Sequence, residues 1–219
     1  FCRSASWRDQ ASMDRASRWA PRMPMQLAPD PVWGLPRQPW SGGLSIVVCW
    51  RPSPLLGLRG WSLLLNALSR LAEDLDAPVR WLAFHRHQDG ELLDWLTDQG
   101  VVPPGLRSRS TTVIPSSLDT VFASVRKARL VIPMRLHALI LARLAHCPMA
   151  ALSYDPKVEA AAAMAGIPCS SLDALPAEPT LLKQWRESMD SPADSDQIER
   201  IRAAAAHHGS HLRRYLPQR

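Results

Sequence analysis

An aliphatic run, then a helix-length apolar stretch, then a second aliphatic run commits a chain to parallel pairing, because two parallel strands cannot be joined without a crossover. Residues 130–158, LVIPMRLHALILARLAHCPMAALSYDPKV, carry that unit. Residues 130–132 read as a buried strand, and residues 149–152 as the next one. Between them, MRLHALILARLAH is apolar on nearly every side except at Arg135, His137 and Arg143, as suits a helix lying against a parallel sheet. The pattern recurs along the chain. Strands are predicted at 44–49, 79–84, 111–114 and 167–170. Helices are predicted at 62–74, 90–98, 118–125, 158–165, 181–189 and 196–208, with a loop over 101–109. Leu118, Val121, Phe122 and Val125 repeat at i, i+3, i+4 and i+7 behind a cap at Ser116 or Ser117. The alternation predicts an α/β fold with one parallel, doubly wound sheet.

Open α/β sheets bind ligands outside the carboxyl ends of their strands. Several strand ends here deliver charged or titratable groups. Arg51 follows 44–49, and His85, His87 and Asp89 follow 79–84. Arg135 and His137 follow 130–132, and Lys157 follows 149–152. Arg135 and His137 stand where a helix begins and its free N–H groups favour an anion. Cations with an imidazole among them describe an anion site holding a proton donor. The alternatives at single positions stay open. Arg51 contacts a ligand or is a surface arginine at a loop start. Asp89 faces the cleft or caps the helix behind it, and Asp155 accepts a proton or caps the next helix. His137 is an acid–base group or a core histidine bonded to a carbonyl. His85 and His87, two residues apart in a loop without a third ligand, do not make a metal site.

Composition narrows the class. The chain has 219 residues with a net charge of +6, which reads either as a solvated basic surface or as attraction to anionic substrates or membrane headgroups. No basic run interleaved with aromatics and no nucleic-acid-binding module is present, so a nucleic-acid partner is not expected. Cys2, Cys49, Cys147 and Cys169 lack metal spacing and read as reduced thiols, Cys49 and Cys147 in or beside apolar runs. No apolar run reaches membrane-spanning length. Residues 1–40 hold no sustained periodicity beyond an amphipathic turn or two after Ser12, and Trp7, Trp19, Trp33 and Trp40 are expected to be exposed. His207 and His208 are expected to balance a helix C-terminus.

Arg135-Leu136-His137 ahead of an apolar helix, followed by Ser153-Tyr154-Asp155-Pro156-Lys157, resembles the C-terminal signature of polysaccharide pyruvyl transferases. Arg8, Asp9 and Ser12, then Asp30-Pro31, resemble the segment that closes the N-terminal domain of that family, and Arg51-Pro52 the end of the first strand of its second domain. The resemblance implies the C-terminal half of a glycosyltransferase-B-like two-domain architecture. Residues 1–38 would be a remnant of the N-terminal domain, 39–43 a linker, 44–209 the Rossmann-like donor domain and 210–219 a tail. It implies transfer of an enolpyruvyl unit from phosphoenolpyruvate to a glycan or a lipid-linked saccharide, forming a pyruvate ketal with no cofactor and no metal. His137 and Asp89 would be catalytic, and Arg135, Lys157, Arg51 and Arg8 would bind substrate. A cytoplasmic location at the inner face of the membrane follows, with peripheral membrane association. The opening on Phe1, inside a pattern, suggests a missing N-terminal half, and the chain alone is then expected to bind phosphoenolpyruvate without turning it over. Two rivals are a nucleotide-sugar glycosyltransferase of the same architecture, with Glu159 placed for the ribose, and an inactive truncated form.

Overall fold

The computed structural model describes residues 4–191 and 193–215. Cys2 and Phe1 lie outside the described residues, as do the last four residues of the expected tail. By contacts the chain divides into two units, Phe1–Pro36 with Asp194–Arg219, and Arg37–Ala193.

The larger unit holds the sheet. Strands β3 (Ser45–Cys49), β4 (Val79–Leu82), β5 (Ser110–Val113) and β6 (Ala128–Pro133) pair in the order β5-β4-β3-β6, all parallel. Strands β7 (Ala151–Ser153) and β8 (Cys169–Ser171) form a parallel pair of their own. A single bridge, Val131 to Met149, joins that pair to β6, with the Ala150 N–H donating to the Val131 carbonyl at 3.2 Å. The run β5-β4-β3-β6-β7-β8 is the 3-2-1-4-5-6 order of a Rossmann fold. The single sheet expected from sequence is thus present as two ladders that meet at one bridge. Cys147-Pro148 precedes the join, and a proline has no N–H to give a ladder.

Alternation along the strands shows why both faces are covered. Ile46, Val48, Leu130 and Ile132 share one core cluster with Trp61, Leu64, Leu65, Leu68, Leu181 and Trp185. Val47 and Val131 between them are equally buried but lie outside that cluster, so their face has its own cover. The helices sort the same way. Helix α2 (Leu58–Asp74) packs with α4 (Pro104–Arg109) and α8 (Glu178–Met189), while α6 (Leu136–Leu144) packs with α5 (Leu118–Val125) and α7 (Pro156–Met164). Helix α3 (Leu92–Asp98) follows β4. No helix among the described residues is long and apolar enough to cross a membrane.

Local signals explain most boundaries. Ser117 caps α5 by accepting the Thr120 N–H, and Asp155 caps α7 by accepting that of Lys157, with Pro156 in the first turn. Three expectations change. Residues 101–109 are not all loop, because Pro104 opens α4; proline suits that position since its missing N–H would be unpaired anyway. Leu118 is exposed at 43%, at the end of the apolar face of α5. Arg143, read as a polar interruption, is buried and donates to the Ala165 carbonyl at 2.8 Å.

The smaller unit contains a parallel pair, β1 (Ala5–Trp7) and β2 (Met25–Leu27), joined by α1 (Gln10–Trp19). Helix α1 is capped by Asp9, which accepts from both the Ser12 N–H and hydroxyl. The helix expected at 196–208 is two helices, α9 (Ser195–Ala205) and α10 (His207–Tyr215). The alanine run 203–206 carries no break signal, so sequence pattern joins what the structure separates. His207 and His208 therefore open a helix, where a positive charge is disfavoured, rather than close one. Sequence carried the main domain through residue 209; by contacts, residues from Asp194 onward group with the first 36. Trp33, expected exposed, is buried at 1%, and its 3-10 turn packs on α9. Trp19 stays exposed at 80%.

Candidate functional site

The carboxyl ends of β3 and β6 lie side by side. Cys49 is in register with Pro133, and the Met134 N–H donates to the Cys49 carbonyl at 3.0 Å. In the strand order this is the point where the crossovers diverge, the position at which open α/β sheets bind their ligands. The loop after each strand begins with a buried anchor followed by an arginine. Trp50 is buried edge-on to Trp81 at 5.4 Å, and Arg51 comes next. Met134 is fully buried, and Arg135 comes next. Packing of the anchors sets where both guanidinium groups emerge.

Arg51 stacks on the Tyr154 ring, 4.7 Å from its centroid. Lys157 approaches the same ring, its Nζ 5.8 Å from the centroid, and pairs with Asp155 at 2.8 Å. The loops after β3 and β7, the strands on either side of β6, therefore meet on one tyrosine. Tyr154 was visible in the motif but had no role assigned to it. A cation–π stack is a tertiary contact, and no spacing rule announces it.

Arg135 occupies the N-cap position of α6 without a side-chain cap bond and turns its side chain to Asp89. Its Nε donates to Asp89 Oδ2 at 3.1 Å, its Nη2 to Asp89 Oδ1 in a short contact, and its Nη2 also reaches Gln88 Oε1 at 3.4 Å. The Asp89 carboxylate, 1% exposed, further accepts the backbone N–H groups of Phe84 and His85 at 3.0 and 2.9 Å. Asp89 does not cap α3, whose N-cap is Glu91 with no side-chain bond. Four donors occupy its oxygens, an arrangement that fixes a guanidinium and leaves little room for accepting a substrate proton. Asp89 also lies close enough to Cys49 to help burial push that thiol well above its ordinary value. Burial does the same to Cys147 and lifts Cys169 to about 11. These thiols are therefore poor nucleophiles at neutral pH.

His137 is the second residue of α6 and is exposed. Arg135, His137 and Lys157 all leave the sheet at its carboxyl edge, but Arg135 and Lys157 belong to different clusters, Arg135–Asp89–Gln88 and Arg51–Tyr154–Lys157. His85 Nδ1 accepts the Gln88 N–H at 3.1 Å, which shapes the loop carrying Asp89. Gly90 completes that loop: a Cβ there would sit 2.2 Å from the Arg86 carbonyl oxygen. Gly90→Ala is expected to destabilise the protein by about 1–3 kcal/mol, read as a lower urea midpoint. An unchanged midpoint would mean the turn is free to relax.

The smaller unit gathers the other motif. Arg8 pairs with Asp30 at 3.4 Å, not with its neighbour Asp9. Arg8, Asp9, Ser12, Asp30 and Pro31 line one hollow of about 460 Å³ with Ser6, Trp7 and His208. His208 Nδ1 meets the Ser6 hydroxyl at 2.7 Å, and its Nε2 meets the Pro29 carbonyl at 2.6 Å. A helix-dipole rule could not have found that histidine, because its partners lie 179 and 202 residues away.

A family model described as polysaccharide pyruvyl transferase matches residues 2–156, most of the chain. The chain belongs to the polysaccharide pyruvyl transferase family. The match takes in the N-terminal motif segment and the C-terminal one as far as Pro156, ending one residue before Lys157. No curated protein matches the chain. Solved structures similar to this pyruvyl transferase family member include a glycotransferase of kitacinnamycin at 14% identity, covering 81% of this chain and 44% of that one with a TM-score of 0.48. A mutant of Thermobaculum terrenum O-GlcNAc transferase aligns at 16% identity, with 86% and 37% covered and a TM-score of 0.46. Apo UGT2 of Phytolacca americana aligns at 10% identity, with 89% and 48% covered and a TM-score of 0.46. The chain spans less than half the length of each.

Proposed function

We propose that this chain provides the donor site of an enzyme that transfers the enolpyruvyl unit of phosphoenolpyruvate to a saccharide as a ketal. The observation that carries the reading is the meeting of Arg51 and Lys157 on Tyr154 beside the strand end that delivers Arg135. Phosphoenolpyruvate bears a phosphate and a carboxylate. A guanidinium recognises either group through paired N–H donors, and an ammonium adds a point charge. Arg135 arrives already oriented by Asp89, so little rotamer entropy remains to be lost when an anion binds. Family membership supports a saccharide acceptor, free or lipid-linked. The assignment of the sheet-bearing unit, Arg37–Ala193, as the donor half, and of Arg8 in the other unit as a substrate-facing cation, is part of the same proposal.

In this chemistry a proton adds to C3 of the enol, and positive charge develops at C2. One sugar hydroxyl bonds to C2, the C2–O bond to phosphate breaks, and a second hydroxyl closes the ketal. C3 gains one proton while two hydroxyls lose theirs. One of these returns to the acid and the other leaves on hydrogen phosphate. His137 is the proposed acid, since an imidazole can both give and take a proton and this one stands on the helix turn that follows Arg135. Asp89 is assigned to holding Arg135 rather than to taking a proton.

Calorimetric titration tests the donor site. Phosphoenolpyruvate is expected to bind saturably, with inorganic phosphate competing. Arg51→Ala or Lys157→Ala should each weaken it by roughly 1.5–3 kcal/mol, about ten- to a hundredfold. Saturable binding of a uridine diphosphate sugar with none of phosphoenolpyruvate would transfer the proposal to a nucleotide-sugar glycosyltransferase.

A further inference from the structure

With Asp89 buried under four donors, the loop after β4 presents other groups to solvent. His87 and Glu91 are exposed, with His87 Nδ1 3.3 Å from Glu91 Oε1. Trp95, one turn further along α3, is 45% exposed. Together with Pro52, Gln88 and Leu92 they line a hollow of about 300 Å³.

Scattered surface apolar residues are normal. Trp95 differs because its indole lies in a concavity among hydrogen-bonding side chains. The volume is at the lower end for small-molecule sites. No lysine or arginine is among the lining residues, so the walls of the hollow carry no permanent positive charge of their own to hold a phosphate or a carboxylate. An open indole with an imidazole, an amide and a carboxylate around it matches a pyranose ring. One ring face is C–H rich and packs on an aromatic, while the hydroxyls around the rim seek donors and acceptors. The His87–Glu91 contact favours the tautomer that donates from Nδ1, which leaves Nε2 able to accept from a hydroxyl.

The position also fits. Gln88 lines the hollow and accepts from Arg135 at 3.4 Å, and Pro52 directly follows Arg51. The hollow therefore adjoins both cation clusters. The geometry points to this hollow as a saccharide subsite, binding one neutral pyranose ring against Trp95 with a hydroxyl on His87 Nε2. Its role as the acceptor subsite rests on the pyruvyl-transfer reading above; the binding itself does not.

The test uses the whole chain labelled with ¹⁵N at the tryptophan indoles. The Trp95 resonance is the one that disappears in Trp95→Phe. Methyl β-galactopyranoside, methyl α-mannopyranoside and methyl β-glucopyranoside are titrated separately into the tens of millimolar, and phosphoenolpyruvate is titrated into a parallel sample. The Trp95 signal is expected to move saturably with at least one glycoside. His87→Ala should weaken that binding about tenfold. A Trp95 signal unmoved by all three glycosides, or one that drifts together with every other indole, overturns the proposal. The two readings fail separately. A glycoside response without any phosphoenolpyruvate response removes the donor reading and keeps the saccharide site. The reverse result removes the saccharide site alone.

Discussion

Asp89→Ala is expected to cost the protein about 3–5 kcal/mol of stability, because it strips the partner from a guanidinium held by a buried carboxylate. The Asp89 side chain is 1% exposed and that of Arg135 19%. The substitution also orphans the Phe84 and His85 N–H groups at the end of β4. The measurement is urea denaturation alongside a phosphoenolpyruvate titration, and both stability and donor affinity should fall, since Arg135 loses its orientation. Arg135→Ala should also destabilise, by leaving the carboxylate with only its backbone donors. Because each single substitution already breaks the same pair, the double variant should lose less than the sum of the two. Normal stability with normal donor affinity and no turnover would reinstate Asp89 as a proton acceptor. Normal stability with normal turnover would end both roles.

His137→Ala has the opposite signature. His137 is exposed, so the stability read from urea unfolding should change by no more than about 0.5 kcal/mol. In the active enzyme, kcat for phosphate release with a saccharide acceptor should fall roughly a hundredfold or more, while phosphoenolpyruvate affinity changes little. The limb of the pH–rate profile that reports the acid should vanish with it. A raised KM at unchanged kcat would make His137 a binding residue and leave the acid unassigned.

Part of this site was legible in the sequence because it obeys local rules. Aliphatic runs in alternation with helices specify parallel strands, and the residue after each run must lie at a carboxyl edge. That logic placed Arg51, Asp89, Arg135 and Lys157 at one edge before any contact was known. Capping chemistry is equally local, which is why Ser117 and Asp155 were readable as candidate caps. The family motifs added which of these edge residues to consider together.

The sequence by itself determined the α/β order, the strand ends and the set of charged residues delivered there, since periodicity and capping act over a few residues. The tertiary structure decided how that set is divided. It gave Arg135 to Asp89 across 46 residues, Arg51 and Lys157 to Tyr154, and Arg8 to Asp30. It also turned Asp89 from an open carboxylate into a buried one, and left His87, Glu91 and Trp95 facing solvent. Such pairings depend on which loops the sheet order makes neighbours. Strand order is set by crossovers and by packing on both faces, and no residue spacing along the chain records it.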